Sequence, residues 1–188
     1  MSKRIGVIFL GPPGSGKGTQ AAKLAESLTI PHISTGEILR QAITEKTELG
    51  QQAQAYVEKG ELVPDELLLG LIQERLKQPD SAKGWILDGF PRTVAQASFL
   101  DALLEELADS YTFVVNLAVP DTVLIERLMQ RGRQDDTQET IARRLQVYID
   151  QTAPVLDYYG QKGTLNHIDG NQPMDAVTAA LTAVVTPV

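Results

Sequence analysis

The 188-residue chain has no cysteine and only two histidines. Without cysteine there can be no disulfide, no thiol redox motif and no cysteine-based zinc site, so no structural zinc is expected. His32 and His167 have no partners at metal-ligand spacing and read as structural or incidental. No apolar run approaches the length of a membrane span. No apolar leader with a cleavage site precedes the first strand pattern, so a cytoplasmic location is the expectation. Positive charge is scarce: 17 Lys and Arg stand against 24 Asp and Glu, a formal net charge of −7. That balance argues against nucleic acid or an anionic membrane as partner. Internal repeats and low-complexity stretches are also missing. Aromatic residues make up only 5%, and Trp85 and the scattered tyrosines read as packing groups. What remains is ordinary for one well-buried domain: 43% hydrophobic and 22% charged residues.

The chain is organised around Gly11-Pro12-Pro13-Gly14-Ser15-Gly16-Lys17-Gly18-Thr19-Gln20. An apolar run, Arg4 to Leu10, precedes it and reads as a buried strand. Ala21 to Glu26 follows and reads as a helix. Strand, glycine-rich loop and helix form the context of a phosphate-binding loop. Glycines let backbone N–H groups converge on an anion, the helix N-terminus adds its dipole, and Lys17 adds a full charge. One feature departs from the general motif: Gly18 follows the lysine, and the hydroxyl is at Thr19.

Further strands are expected at Pro31–Ser34, Trp85–Leu87, Tyr111–Val119 and Thr164–Ile168. Helical patterns lie between them, such as Leu100, Leu103, Leu104 and Leu107 on one face. Alternation of this kind predicts an α/β fold with a parallel sheet covered on both sides, and ligands at the strands' carboxyl ends. Ser34 with Glu37 forms a capping box. That stretch has two readings: a helix start alone, or a helix start that presents Thr35 and Arg40 to a ligand. Residues 47–63 carry no strand pattern and look like an insertion. Asp88-Gly89-Phe90-Pro91-Arg92 follows the third strand. An Asp there can hold hydrated Mg²⁺, and Arg92 offers a planar fork to phosphate. Arg127, Arg131 and Arg133 crowd a net-acidic chain within seven residues. Asp136 with Glu139 reads as a second capping box, which leaves Asp136 no catalytic task. On the helix beyond, Arg144 flanks the apolar stripe and Arg143 points away from it.

Taken together, these motifs resemble the adenylate kinases, within the nucleoside monophosphate kinases. The matching stretches are Gly11–Gln20, Ser34–Glu37 with Arg40, Leu62–Asp65, Asp88–Arg92 with Gln96, Arg127 and Arg131, Arg133–Asp136, and Arg144. They run in family order over nearly the whole chain, and the Gly-Lys-Gly-Thr loop is the family's own variant. The resemblance implies a P-loop NTPase-type core with a five-stranded parallel sheet. It also implies a monophosphate-binding insertion over 34–63 and a short lid over 130–136. The implied reaction is MgATP + AMP to two ADP, in a monomer. ATP would be held by Gly14, Ser15, Gly16, Lys17, Gly18 and Thr19, with Arg127, Arg131 and Gln172. AMP would meet Thr35, Arg40, Gln96, the backbone of Glu61, Leu62 and Val63, and Gly89, Phe90, Pro91 and Arg92. Arg133 and Arg144 would close over the transferring group, and Asp88 would hold Mg²⁺ through water. Rival readings are a pyrimidine monophosphate kinase, a P-loop hydrolase and a GTPase-type switch. The switch lacks its guanine-reading Asn-Lys-x-Asp.

Overall fold

The apolar run before the glycine loop forms β1 (Ile5–Leu10), and nearly all of it is buried. Its residues show no polar alternation because both of its faces are covered. The computed structural model describes residues 4–107, 111–134 and 136–186. After β1 come α1 (Lys17–Leu28), β2 (His32–Ser34), α2 (Thr35–Thr44), α3 (Glu48–Lys59) and α4 (Asp65–Leu76). A short 3₁₀ turn leads into β3 (Gly84–Asp88), α5 (Val94–Glu106), β4 (Tyr111–Ala118) and α6 (Asp121–Arg131). The chain ends with α7 (Gln138–Val147), α8 (Ala153–Gln161), β5 (Leu165–Asp169) and α9 (Met174–Val185).

The strands form one five-stranded sheet in the order β2-β3-β1-β4-β5. Every pairing is parallel. This is the α/β architecture expected from the alternating pattern. On one face Ile8, Leu10, Trp85 and Leu87 pack with Ile72, Leu76, Leu100 and Leu104 from α4 and α5. On the other, Val7, Phe9, Ile86 and Val115 pack with Leu24 of α1 and Leu181 of α9. A separate small cluster of Leu39, Ala53, Val63 and Leu68 gives the segment from α2 to α4 its own packing. The strand boundaries fall within a residue or two of those expected.

Local chemistry sets the helix starts that matter. Ser34 caps α2, accepting from the Glu37 N–H at 3.3 Å, as its capping pattern predicts. The second expected cap is corrected. Thr137, not Asp136, caps α7, accepting from the Thr140 N–H at 3.1 Å. A hydroxyl one residue nearer the helix takes the role and leaves the Asp136 carboxylate for other partners. A five-residue π-helical turn, Tyr148–Thr152, joins α7 to α8. Pro154 lies in the first turn of α8. It has no N–H and its ring crowds the preceding turn, and the wider spiral absorbs that defect.

Candidate active site

The carboxyl ends of β1, β2 and β3 open onto one cleft of about 600 Å³. Its floor is the glycine loop. Gly14 and Gly16 adopt left-handed backbone with φ of 84° and 95°. A Cβ at Gly14 would lie 2.9 Å from Leu128 Cγ and 3.0 Å from the Leu124 carbonyl oxygen, so the loop seats directly on α6. Lys17 donates from Nζ to the carbonyls of Gly11 at 2.7 Å and Pro12 at 2.9 Å. Burial pushes its ammonium down to about 8; Asp88 opposes that, and Arg92 and Arg131 add to it.

Asp88 ends β3 and is 8% exposed. Burial raises its carboxyl, but the His32 ring, Lys17 and Arg92 outweigh burial and hold it below the ordinary value. His32 Nε2 stands 3.5 Å from Asp88 Oδ2. That nitrogen is buried without a hydrogen-bond partner. Parallel pairing of Ser34 with Asp88 brings the two residues together, a contact that reading each histidine alone could not supply. Thr35 donates to the Asp88 carbonyl at 3.3 Å and so braces the Asp88-Gly89 corner.

Arg92 is anchored by its Nε on the Gly89 carbonyl at 2.8 Å. Burial lowers its proton affinity; Asp88 offsets this, and repulsion from Arg144 and Arg40 adds to it. Guanidinium groups do not deprotonate in proteins, so this crowding is repulsion that a bound anion relieves. From the other side of the cleft, Arg131 donates to Asp136 from Nε at 2.8 Å and Arg144 from Nη1 at 2.9 Å. The Asp136 side chain is 1% exposed and also accepts from the Arg133 N–H. Burial raises this carboxyl too, but Arg131, the Arg133 N–H and Arg144 bring it below the ordinary value. Asp135, inside the expected lid, lies outside the described residues.

The α2–α4 segment meets α7 at the cleft's rim. Thr140 donates to the Glu58 carbonyl at 3.3 Å, and Arg143 pairs with Glu61 at 2.6 Å. Gly60, with φ of 72°, lies where a Cβ would be 3.0 Å from the Thr140 carbonyl oxygen and 3.1 Å from Arg144 Cγ. Glu61 thus engages α7 through its side chain, where only its backbone was expected to matter, and Arg143 is more than a solvated surface group.

Most of the expected site residues line this one cleft. They are Gly14, Gly16, Lys17, Gly18, Thr19, Thr35, Arg40, Glu61, Leu62, Val63, Asp88, Gly89, Pro91, Arg92, Gln96, Arg127, Arg131, Arg133 and Arg144. Three others do not. Ser15 is 2% exposed, with an unpartnered buried hydroxyl beneath the loop. Phe90 is fully buried, its ring packed in the core with Leu10, Leu87 and Leu100 rather than turned to the cleft. Gln172 is exposed, donating to Asp169 at 2.7 Å, while Arg127 donates to the nearby Gly170 carbonyl.

The family model described as adenylate kinase matches residues 9–164. The chain belongs to the adenylate kinase family. Its relatives include adenylate kinase 1 of Synechocystis sp., 58% identical over 187 residues and the full length of both chains. Adenylate kinase 1 of Nostoc sp. is 56% identical over 94% of this chain and 96% of its own. An adenylate kinase of Stenotrophomonas maltophilia is 51% identical over 95% and 98%. Among the cleft residues that sequence reasoning passed over are Tyr148 and Thr152 of the π turn. A proline soon after a helical pattern was the available signal. Asp65 belongs to the matching stretch Leu62–Asp65 but was given no role at the site, yet its carboxylate accepts from Gln96 at 2.6 Å.

Proposed function

We propose that the chain catalyses ATP + AMP ⇌ 2 ADP within this single cleft, using the residues that converge there. Family membership makes it an ATP:AMP phosphotransferase; the residue roles are our reading. The observation that carries them is the arrangement of cations. Lys17 comes from the glycine loop, Arg40 and Arg92 from α2 and the turn after β3, and Arg131, Arg133 and Arg144 from α6, α7 and the turn between them, and all of them line the one cleft. Such a cleft suits two phosphate chains meeting end to end.

An AMP phosphate oxygen forms the new bond to the γ-phosphorus. The bond to the bridging oxygen of ATP breaks and its electron pair leaves with ADP. Charge spreads over the group in transfer, so catalysis is positioning and electrostatic stabilisation, with no general base. Lys17 and the N–H groups of Gly14–Thr19 hold the donor phosphates, and Ser15 supports the loop from below. Arg127 and the segment around Gln172 border the donor base. Arg40 and Arg92 grip the acceptor phosphate. Arg131, Arg133 and Arg144 exchange Asp136 for phosphate oxygens as the cleft fills. Thr35 and Gln96 border the acceptor base, with the backbone of Glu61, Leu62 and Val63. The segment 34–63 and the short lid 130–136 act as the closing parts, excluding water that would otherwise take the phosphoryl group.

Magnesium fits this donor set. Asp88 is buried, held ionised and beside the phosphate loop. No cluster of three or more His, Cys, Asp or Glu among the described residues could cage a metal alone. One carboxylate acting through water, together with substrate phosphates, is the usual magnesium arrangement. When bound, the ion neutralises developing charge on the phosphates.

Nucleotides are the partners this reading requires. The net charge of −7 supports a monomer with no nucleic-acid or membrane partner. Among the described residues, no helix is long and apolar enough to cross a membrane; a cytoplasmic location is part of this reading. A coupled assay of MgATP with AMP, CMP, UMP and GMP tests the acceptor. AMP should be turned over at least tenfold more efficiently than the others. Preference for CMP or UMP would overturn the reading in favour of a pyrimidine kinase. ATP turnover independent of any monophosphate would make the chain a hydrolase.

A further inference from the structure

Gln96 is 1% exposed, and both ends of its amide are engaged. Its Oε1 accepts from the Arg92 backbone N–H at 2.7 Å, and its Nε2 donates to Asp65 Oδ1 at 2.6 Å. The first partner takes an acceptor and the second a donor, so the two contacts hold one orientation together, and either alone holds it less firmly. A Gln amide has two N–H groups and two acceptor positions. One of each is used here, and one of each remains on a side chain that lines the cleft.

We propose that Asp65 is a positioning residue that sets acceptor specificity by locking the orientation of the Gln96 amide. A 6-amino purine presents an acceptor at N1 and a donor at the exocyclic amine. The remaining Gln96 N–H and carbonyl match that pair. A 6-oxo purine presents N1–H and a carbonyl, the reverse. An unlocked amide could turn over and serve either base. The locked one leaves the 6-oxo base with donor facing donor and acceptor facing acceptor. Asp65 touches no substrate; it acts through Gln96. The inference rests on the reading of Gln96 as the base contact.

The bland alternative is that Asp65 only favours the N-terminus of α4, as an acid in a first helical turn does. That role affects stability and leaves base discrimination alone. The experiment compares kcat/KM for AMP and inosine monophosphate, with MgATP as donor. It uses the wild type, Asp65→Ala, Asp65→Asn and Gln96→Ala, each checked by thermal unfolding. Asn keeps an oxygen where Gln96 Nε2 needs one, so Asp65→Asn should retain the wild-type preference for AMP within about twofold. Asp65→Ala should lower that preference at least fivefold while the KM for ATP stays within about twofold, as loss of one hydrogen bond to a charged group implies. If Asp65→Ala melts below the assay temperature, Asp65→Leu, similar in size and lacking the acceptor, takes its place with the same expectation. Loss of the preference in Gln96→Ala but not in Asp65→Ala or Asp65→Leu would overturn the role of Asp65 and leave the Gln96 reading intact. An undiminished preference in Gln96→Ala would overturn both.

Discussion

Lys17 should lose its proton on the free enzyme near pH 8, and ATP binding should fail with it. Burial lowers the ammonium from its ordinary 10.5 to about 8. With that value, about one-tenth of the free enzyme remains protonated at pH 9, so kcat/KM for ATP should fall about tenfold between pH 7 and pH 9. Bound phosphates place negative charge beside Lys17 and raise its proton affinity again. The alkaline limb of kcat should therefore lie well above that of kcat/KM. Initial-rate profiles from pH 6.5 to 10, with equilibrium ATP titrations at the same pH values, separate the two. The same burial sets a sign for stability. Below about pH 8 both folded and unfolded chains carry the proton, and the folded state bears the full burial penalty. Between about 8 and 10.5 the unfolded chain binds more protons, so this contribution to stability rises with pH. At about 1.36 kcal/mol per tenfold change in proton affinity, the penalty is about 3 kcal/mol. Lys17→Met should thus melt higher than wild type without nucleotide at pH 7, while losing activity. The two melting curves should converge as pH rises. A kcat/KM for ATP that stays flat to pH 9.5, or a Lys17→Met variant less stable than wild type, would refute the argument.

Three further outcomes follow from other parts of the cleft. Asp136→Asn should lower stability at pH 7 by about 2 kcal/mol, because it weakens two guanidinium pairs on a buried carboxylate. Since that carboxyl is held below its ordinary value, its contribution is present above about pH 3.9 and fades as pH falls further; thermal melts at pH 7 and pH 3 should show the gap to wild type closing in acid. Glu61→Lys sets like charges against Arg143 across the rim and should raise the KM for AMP about two- to fivefold, less at high salt. Combining it with Arg143→Glu should restore the wild-type value; failure to do so in steady-state kinetics would remove the ion pair from the argument. A compound of two adenosines joined by a phosphate chain should bind one per chain, more than tenfold tighter than AMP, because both sites engage for a single association cost. Calorimetry showing two molecules per chain would contradict the shared cleft.

The parts of the site that were legible in the sequence are those whose chemistry is contiguous. The Gly11–Gln20 loop carries strand, glycines, lysine and helix together, and Asp88 to Arg92 carries its strand end and its phosphate fork within five residues. Asp136 was misread because two capping patterns overlap, and Thr137 competes for the same helix end. Only three-dimensional placement shows the freed carboxylate facing Arg144, eight residues on. Glu61 and Arg143 are 82 residues apart, and no periodicity connects them. His32 looked incidental because its neighbour Asp88 arrives through strand pairing. The resemblance places Phe90 among the AMP contacts, yet its ring packs in the core, which no local pattern reveals.

The bare backbone at Gly60 lets the two sides of the cleft's rim meet. A methyl carbon there would stand 3.0 Å from the Thr140 carbonyl oxygen and 3.1 Å from Arg144 Cγ, close enough that α7 would have to give. Any side chain there would act as a doorstop, holding the rim of the cleft ajar by several tenths of an ångström. Arg144, one of the cations lining the cleft, would be displaced by the same small amount. A missing side chain at one position thus sets how near the α2–α4 segment can come to Arg144 on α7.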